Sequence, residues 1–144
     1  MEQRVTGRAF AFSAPAGWTV KRTVDLTSAA PSADATTIVS VAVLPLRRSY
    51  RPSLWPRVVP ELDRVAEELA AELHGDLDAM RTVAVAGSRA RQYEISFARR
   101  GDRLREQITF VLRGRREYQL LCRWSAAGDE PDACALLVSS FTLR

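Results

Sequence analysis

The sequence predicts an α+β domain, an antiparallel β-sheet with helices packed on it. Three observations carry that reading. Residues 89–125 alternate apolar and polar side chains through three runs, with glycine-containing breaks between them. Residues 61–73 place Leu62, Val65, Ala66, Leu69 and Leu73 at the spacing of a helix with one core-facing stripe. No repeat or linker divides the 144 residues, which suit one domain, 1–144, able to bury a core without staples.

The alternating run fixes an expected register. Tyr93, Ile95 and Phe97 alternate with Gln92, Glu94 and Ser96. A two-residue turn at Gly101-Asp102 would pair Phe97 with Glu106, Ile95 with Ile108 and Tyr93 with Phe110. A three-residue loop, Gly114-Arg115-Arg116, would then pair Arg113 with Glu117 and Leu112 with Tyr118. Leu120, Cys122 and Trp124 continue the same apolar face. A slip by one residue would scatter that face.

The remaining elements follow in order. Phe10 and Phe12 begin a short strand, Pro15-Ala16-Gly17 breaks it, and residues 18–23 return, giving an N-terminal hairpin. Residues 25–34 are small and polar around Pro31, as in an exposed loop. Residues 36–46 are rich in Ile and Val on both faces, the pattern of a strand covered on both sides, with Pro45 near its end. Residues 47–56 form a basic and aromatic connection. The long helix follows, with Pro60 in its first turn and Gly75 as its stop. Residues 80–85 make a further strand, which completes a four-strand meander. A short C-terminal helix runs through Ala135, Leu137 and Val138.

Composition excludes several classes. Apolar runs are strand-length, too short to span a bilayer as a helix. The first residues lack the apolar region of a signal peptide, so a chain starting at Met1 is expected in the cytoplasm; a trimmed exported protein is the alternative. Cys122 and Cys134 fit no metal spacing and are read as reduced core residues. The other reading is a disulfide between the last strand and the final helix, which implies an oxidising compartment. The net charge of +4 is uneven, with arginines on the sheet and acidic residues on the helix.

Short motifs resemble those of the PsbP/Mog-like superfamily. They are Phe10-x-Phe12-x-x-Pro15-x-Gly17-Trp18, Val85-Ala86-Gly87-Ser88-Arg89-Ala90-Arg91 and Ser139-Ser140-Phe141. That superfamily includes DcrB-related proteins and actinobacterial LpqN-type lipoproteins. The resemblance covers nearly the whole chain by element order and implies an α/β/α sandwich. It implies a non-enzymatic role, since members include photosystem-associated subunits, a Ran-GTPase-binding protein, envelope lipoproteins and cytoplasmic chaperones that hold apolar helical segments.

The residues agree with a non-catalytic expectation. His74, the one histidine, suits a helix C-terminus and lacks partners for a zinc site or a catalytic triad. Neither glycine turn precedes a helix, so neither is a phosphate loop. Nothing calls for a cofactor. The aromatics between the arginines face the expected core, which disfavours nucleic acid. The expected partner is another protein or an apolar helical segment, with a homodimer as one form. The candidate surface is the second face of the meander: Gln92, Glu94, Arg105, Gln107, Thr109, Val111, Gln119, Leu121 and Arg123. A solvated face, or one covered by the N-terminal hairpin, is the plain alternative. An envelope accessory protein or small-ligand binder of PsbP/LpqN type is the rival function.

Overall fold

A computed structural model describes residues 1–144 as two antiparallel sheets and two α-helices. The smaller sheet joins β1 (Glu2–Gly7), β2 (Phe10–Pro15) and β9 (Thr142–Leu143) in the order β1-β2-β9. The larger contains β3 (Thr19–Arg22), β4 (Leu26–Ala30), β5 (Ile38–Tyr50), β6 (Asp76–Val85), β7 (Ser88–Arg99) and β8 (Asp102–Ser125). Its order is β3-β4-β5-β8-β7-β6. The long helix α1 (Trp55–Glu72) lies on one face of this sheet. The small sheet and α2 (Asp132–Ser140) cover part of the other.

The β8 strand doubles back on itself. Straight, its 24 residues would extend about 80 Å, yet the Ala126 N–H donates to the Arg103 carbonyl at 2.9 Å. The fold lies at Gly114-Arg115, where Gly114 takes a φ of +58°, a conformation suited to glycine at the first central position of a two-residue hairpin. The outgoing arm pairs with β7 and the returning arm with β5. Counting inward from Arg103 and Ala126 sets Ile108 opposite Leu121, Glu106 opposite Arg123 and Leu112 opposite Glu117. Accordingly, Leu121 packs against the cluster that contains Ile108.

Both expected hairpin registers need correction, with unequal consequences. The first turn is Arg100-Gly101, with φ of 51° and 84°, so Phe97 pairs with Leu104, Ile95 with Glu106 and Tyr93 with Ile108. That two-residue shift leaves every side chain on its expected face. The second turn is one residue shorter than expected, and one residue reverses the returning arm. Tyr118, Leu120, Cys122 and Trp124 therefore join Val111 beneath the small sheet and α2, while Leu121 joins Phe110 and Leu112 on the α1 face.

That reversal explains the cysteines. Cys122 is turned toward α2 and is bonded to Cys134, with Cα atoms 5.4 Å apart, where free thiols were expected. The bond closes a segment that also contains the turn into α2. Around it, Phe10, Phe12, Tyr118 and Phe141 form a stacked and edge-on aromatic cluster joining the two sheets.

The N-terminal hairpin is also different. β2 pairs with β1 and β9, whereas residues 19–22 pair with β4 in the other sheet. Gly17, at φ +86°, turns the chain between the sheets rather than back along β2. The expected loop at 25–34 contains β4, whose small Thr27 and Ala29 are buried. β6 begins four residues earlier than the expected 80. α1 begins at Trp55, so Pro60 lies inside it rather than in its first turn. The left-handed residue that ends it is His74, at φ 54°, directly before Gly75.

Candidate functional site

α1 covers only half of its sheet face. Its inward side chains, Leu62 and Ala66, pack on Tyr93, Ile108 and Phe110; Ala70 packs with Ile95, Phe97 and Leu104. All of these sheet residues belong to β7 and the outgoing arm of β8. Beyond them the returning arm, β5 and β4 present the same face without a helix. Residues 36–46 are therefore covered on one face, through Val39 and Val41, and open on the other, through Ile38, Ala42 and Leu44.

Two adjoining cavities lie along this open strip. One, of about 330 Å³, is lined by Leu26, Ile38, Ala42, Ile108 and Leu121, with Ser40, Gln119 and Arg123. The other, of about 560 Å³, is floored by Leu46, Tyr50, Leu112 and Leu62 and walled by Leu54 and Val58. The Gln119 amide donates to the Glu117 carboxylate at 2.7 Å, joining a residue of the first cavity to one of the second. From Glu117 to Arg123 the strip extends about 20 Å. Val65, on the same flank of α1 as Val58, is 38% exposed, although its stripe position suggested a core residue. Floor and wall together make an L-shaped apolar groove.

Charge is unequal along it. Arg47, Arg48 and Arg57 rim the larger cavity, against Glu61 and Glu117. Neither of the protein's two ion pairs, Arg81–Glu94 and Arg91–Asp63, involves these arginines. At the other end Arg123 faces the buried Glu106. Burial lowers the Arg123 pKa, as does neighbouring Arg99, while Glu106 opposes the shift. Burial raises the Glu106 pKa against the pull of Arg123 and Arg99.

The candidate residues divide between the two faces. Gln119, Leu121 and Arg123 line the groove. Gln92, Glu94, Arg105, Gln107, Thr109 and Val111 lie on the opposite face, and four of them are buried. Three of them are engaged internally: Gln92 donates to Thr109 at 2.9 Å, and Arg81 donates to both Gln92 and Glu94 at 2.9 Å. Gln107, 7% exposed, is part of this covered surface. Three further groove residues, Leu46, Tyr50 and Val58, come from the connection at 47–56 and its flanks, outside the expected sheet face. Tyr50 and Val58 carried a signal, since they are apolar residues among arginines with no expected strand or helix to bury them, whereas Leu46 ends the expected strand at 36–46.

No protein-family model matches the chain, and no curated protein matches it in sequence. Solved structures do match. A protein of Bacteroides thetaiotaomicron superposes with a TM-score of 0.68 at 10% identity, over 94% of this chain and 45% of its own. LpqN of Mycobacterium tuberculosis, involved in cell envelope biogenesis, superposes with a TM-score of 0.57 at 12% identity, over 99% of this chain and 90% of LpqN. The fold is LpqN-like. This chain spans less than half the length of the Bacteroides protein, and at such identities the likeness concerns the LpqN-like fold alone. No helix is long and apolar enough to cross a membrane.

Proposed function

We propose that this LpqN-like chain is a non-catalytic binding module that holds an apolar helical segment of another protein in the groove beside α1. One observation carries the reading: a sheet face half covered by its own helix, with an apolar floor and wall left for a second. A helix is about 10 Å across, the width of about two strand spacings, and fits beside α1. The chemistry is that of helix-in-groove recognition. The resemblance to DcrB-related chaperones that hold apolar helices supports the same class.

A second copy fits less well. The outward side of α1 carries Arg64, Glu67, Glu68 and Glu72, all exposed, and stacking two molecules face to face would press these charges onto the apolar strip. The occupant is therefore a foreign segment.

The setting has two readings. The Cys122–Cys134 bond favours an envelope-associated accessory module, because disulfides persist in oxidising compartments. The cytoplasmic reading requires both thiols to be free. Mass spectrometry of unreduced protein from its native host distinguishes them by the mass of two hydrogen atoms.

A photo-crosslinking residue placed at Val65 tests the groove in that host. It should capture a partner, and adding Leu121→Asp should abolish capture while circular dichroism stays unchanged. Equal capture from a probe at Arg105, on the other face, would refute the reading.

A further inference from the structure

We infer that the bound helix has a fixed polarity: it lies antiparallel to α1, with an acid-rich C-terminal turn at the Arg47–Arg48–Arg57 end. This rests on the groove reading above and adds the orientation and charge of the occupant. Three observations support it.

The two ends of the groove differ in charge. The larger cavity has three arginines against two glutamates. The β8 hairpin adds more positive charge beside it, since Arg115 donates to the Arg47 carbonyl at 3.3 Å and Arg116 pairs with Pro45. At the opposite end Arg123 is the one charged lining residue of the smaller cavity; Glu106 opposes its charge and Arg99 adds to it. The concentration of arginines at the hairpin end, where Arg115 and Arg116 add to the three at the rim, matches a ligand whose negative charge lies at that end.

A helix supplies part of that pattern without side chains. Its C-terminus carries about half a negative charge, strengthened by acidic residues in the last turn. The arginine end of the groove is also where α1 begins, at Trp55, so α1 presents its own positive end there. A helix with its C-terminus at this point runs antiparallel to α1, and the two dipoles attract. The reverse orientation sets like ends together beside three arginines.

The length agrees. The strip of about 20 Å corresponds to roughly 13 helical residues, so the occupant has an apolar stripe of three to four turns and one acidic end.

The probes are two 14-residue peptides of identical composition, acetylated and amidated, with leucines at helical spacing. One carries three glutamates in its last turn, the other three in its first. Glutamates at a C-terminus weaken an isolated helix, so intrinsic helicity works against the expected result. The C-terminally acidic peptide should nevertheless bind about tenfold more tightly, a few-fold for each of two or three rim pairs. The Arg48→Glu, Arg57→Glu double variant should abolish or reverse that preference. In high salt the preference should shrink while apolar affinity remains. Equal binding of both peptides would overturn the polarity and leave the groove reading standing. Binding by neither peptide, or binding indifferent to Leu121→Asp, would overturn both.

Discussion

Asp63 on α1 is clasped by Arg91 of the sheet beneath it. Arg91 Nε and Nη2 donate to its two carboxylate oxygens at 2.9 and 3.2 Å, and the Tyr93 hydroxyl donates to the first of these. Burial alone would raise the Asp63 pKa, but the hydrogen bonds from Arg91 and Tyr93 and the charge of Arg91 outweigh it, and the pKa is lowered. The clasp therefore stabilises the fold above the ordinary carboxylate pKa of about 3.9. That contribution is lost as pH falls through the lowered folded value. Asp63→Asn should cost about 1.5–3 kcal/mol at neutral pH, the range for charged hydrogen bonds. Denaturant melts from pH 7 to 2 should show a smaller acid loss in the variant.

Glu106 has the opposite sign. Burial raises its pKa, so ionising it in the folded state is unfavourable. Stability at this position increases as pH falls from the folded value toward the unfolded one, about 4.3. Glu106→Gln should be neutral or stabilising at pH 7, whereas Arg123→Met should destabilise by removing the opposing charge. A clear loss of midpoint in Glu106→Gln would refute this.

The helix can be tested at its buried contact. Leu62, 5% exposed, packs on Tyr93 and Phe110, and Leu62→Ala should cost about 2–5 kcal/mol. Leu69 and Leu73 are only partly buried, and the same change there should cost less. Equal losses at all three positions would mean that α1 sits in another rotation.

The reversal of the returning β8 arm predicts a contrast between two apolar residues. Val111→Asp buries a charge under the small sheet and should unfold the protein. Leu121→Asp, at the groove, should leave it folded and abolish capture. A Leu121→Asp variant that fails to fold would argue against an open groove.

Removing the covalent tie should lower stability by about 2–4 kcal/mol, the usual range for a disulfide. Melting of Cys134→Ser, with and without reductant, measures it, and the variant should be insensitive to the reductant.

Much of this fold was legible in the sequence. Period-two alternation at 89–113 correctly gives the faces of Tyr93, Ile95, Ile108 and Phe110, because a shift of two residues preserves them. It fails at Gly114, where two- and three-residue turns are both compatible with the sequence. Each register buries large residues, since Tyr118, Leu120 and Cys122 pack under the small sheet as well as they would under a helix. Gln119, Leu121 and Arg123 were thus expected on the face of Gln107 and lie on the face of α1. β1 and β4 escaped notice because their buried residues are few and small. The groove itself is a property of what α1 leaves uncovered, which depends on the width of the sheet and has no local signature.

Because Cys122 and Leu121 are neighbours on opposite faces, the bond to Cys134 can form only when Leu121 points into the groove. A chain that paired the returning arm one residue out of step would carry its thiol to the wrong side and remain unoxidised. An intact bond is therefore a marker of the native threading of the returning arm.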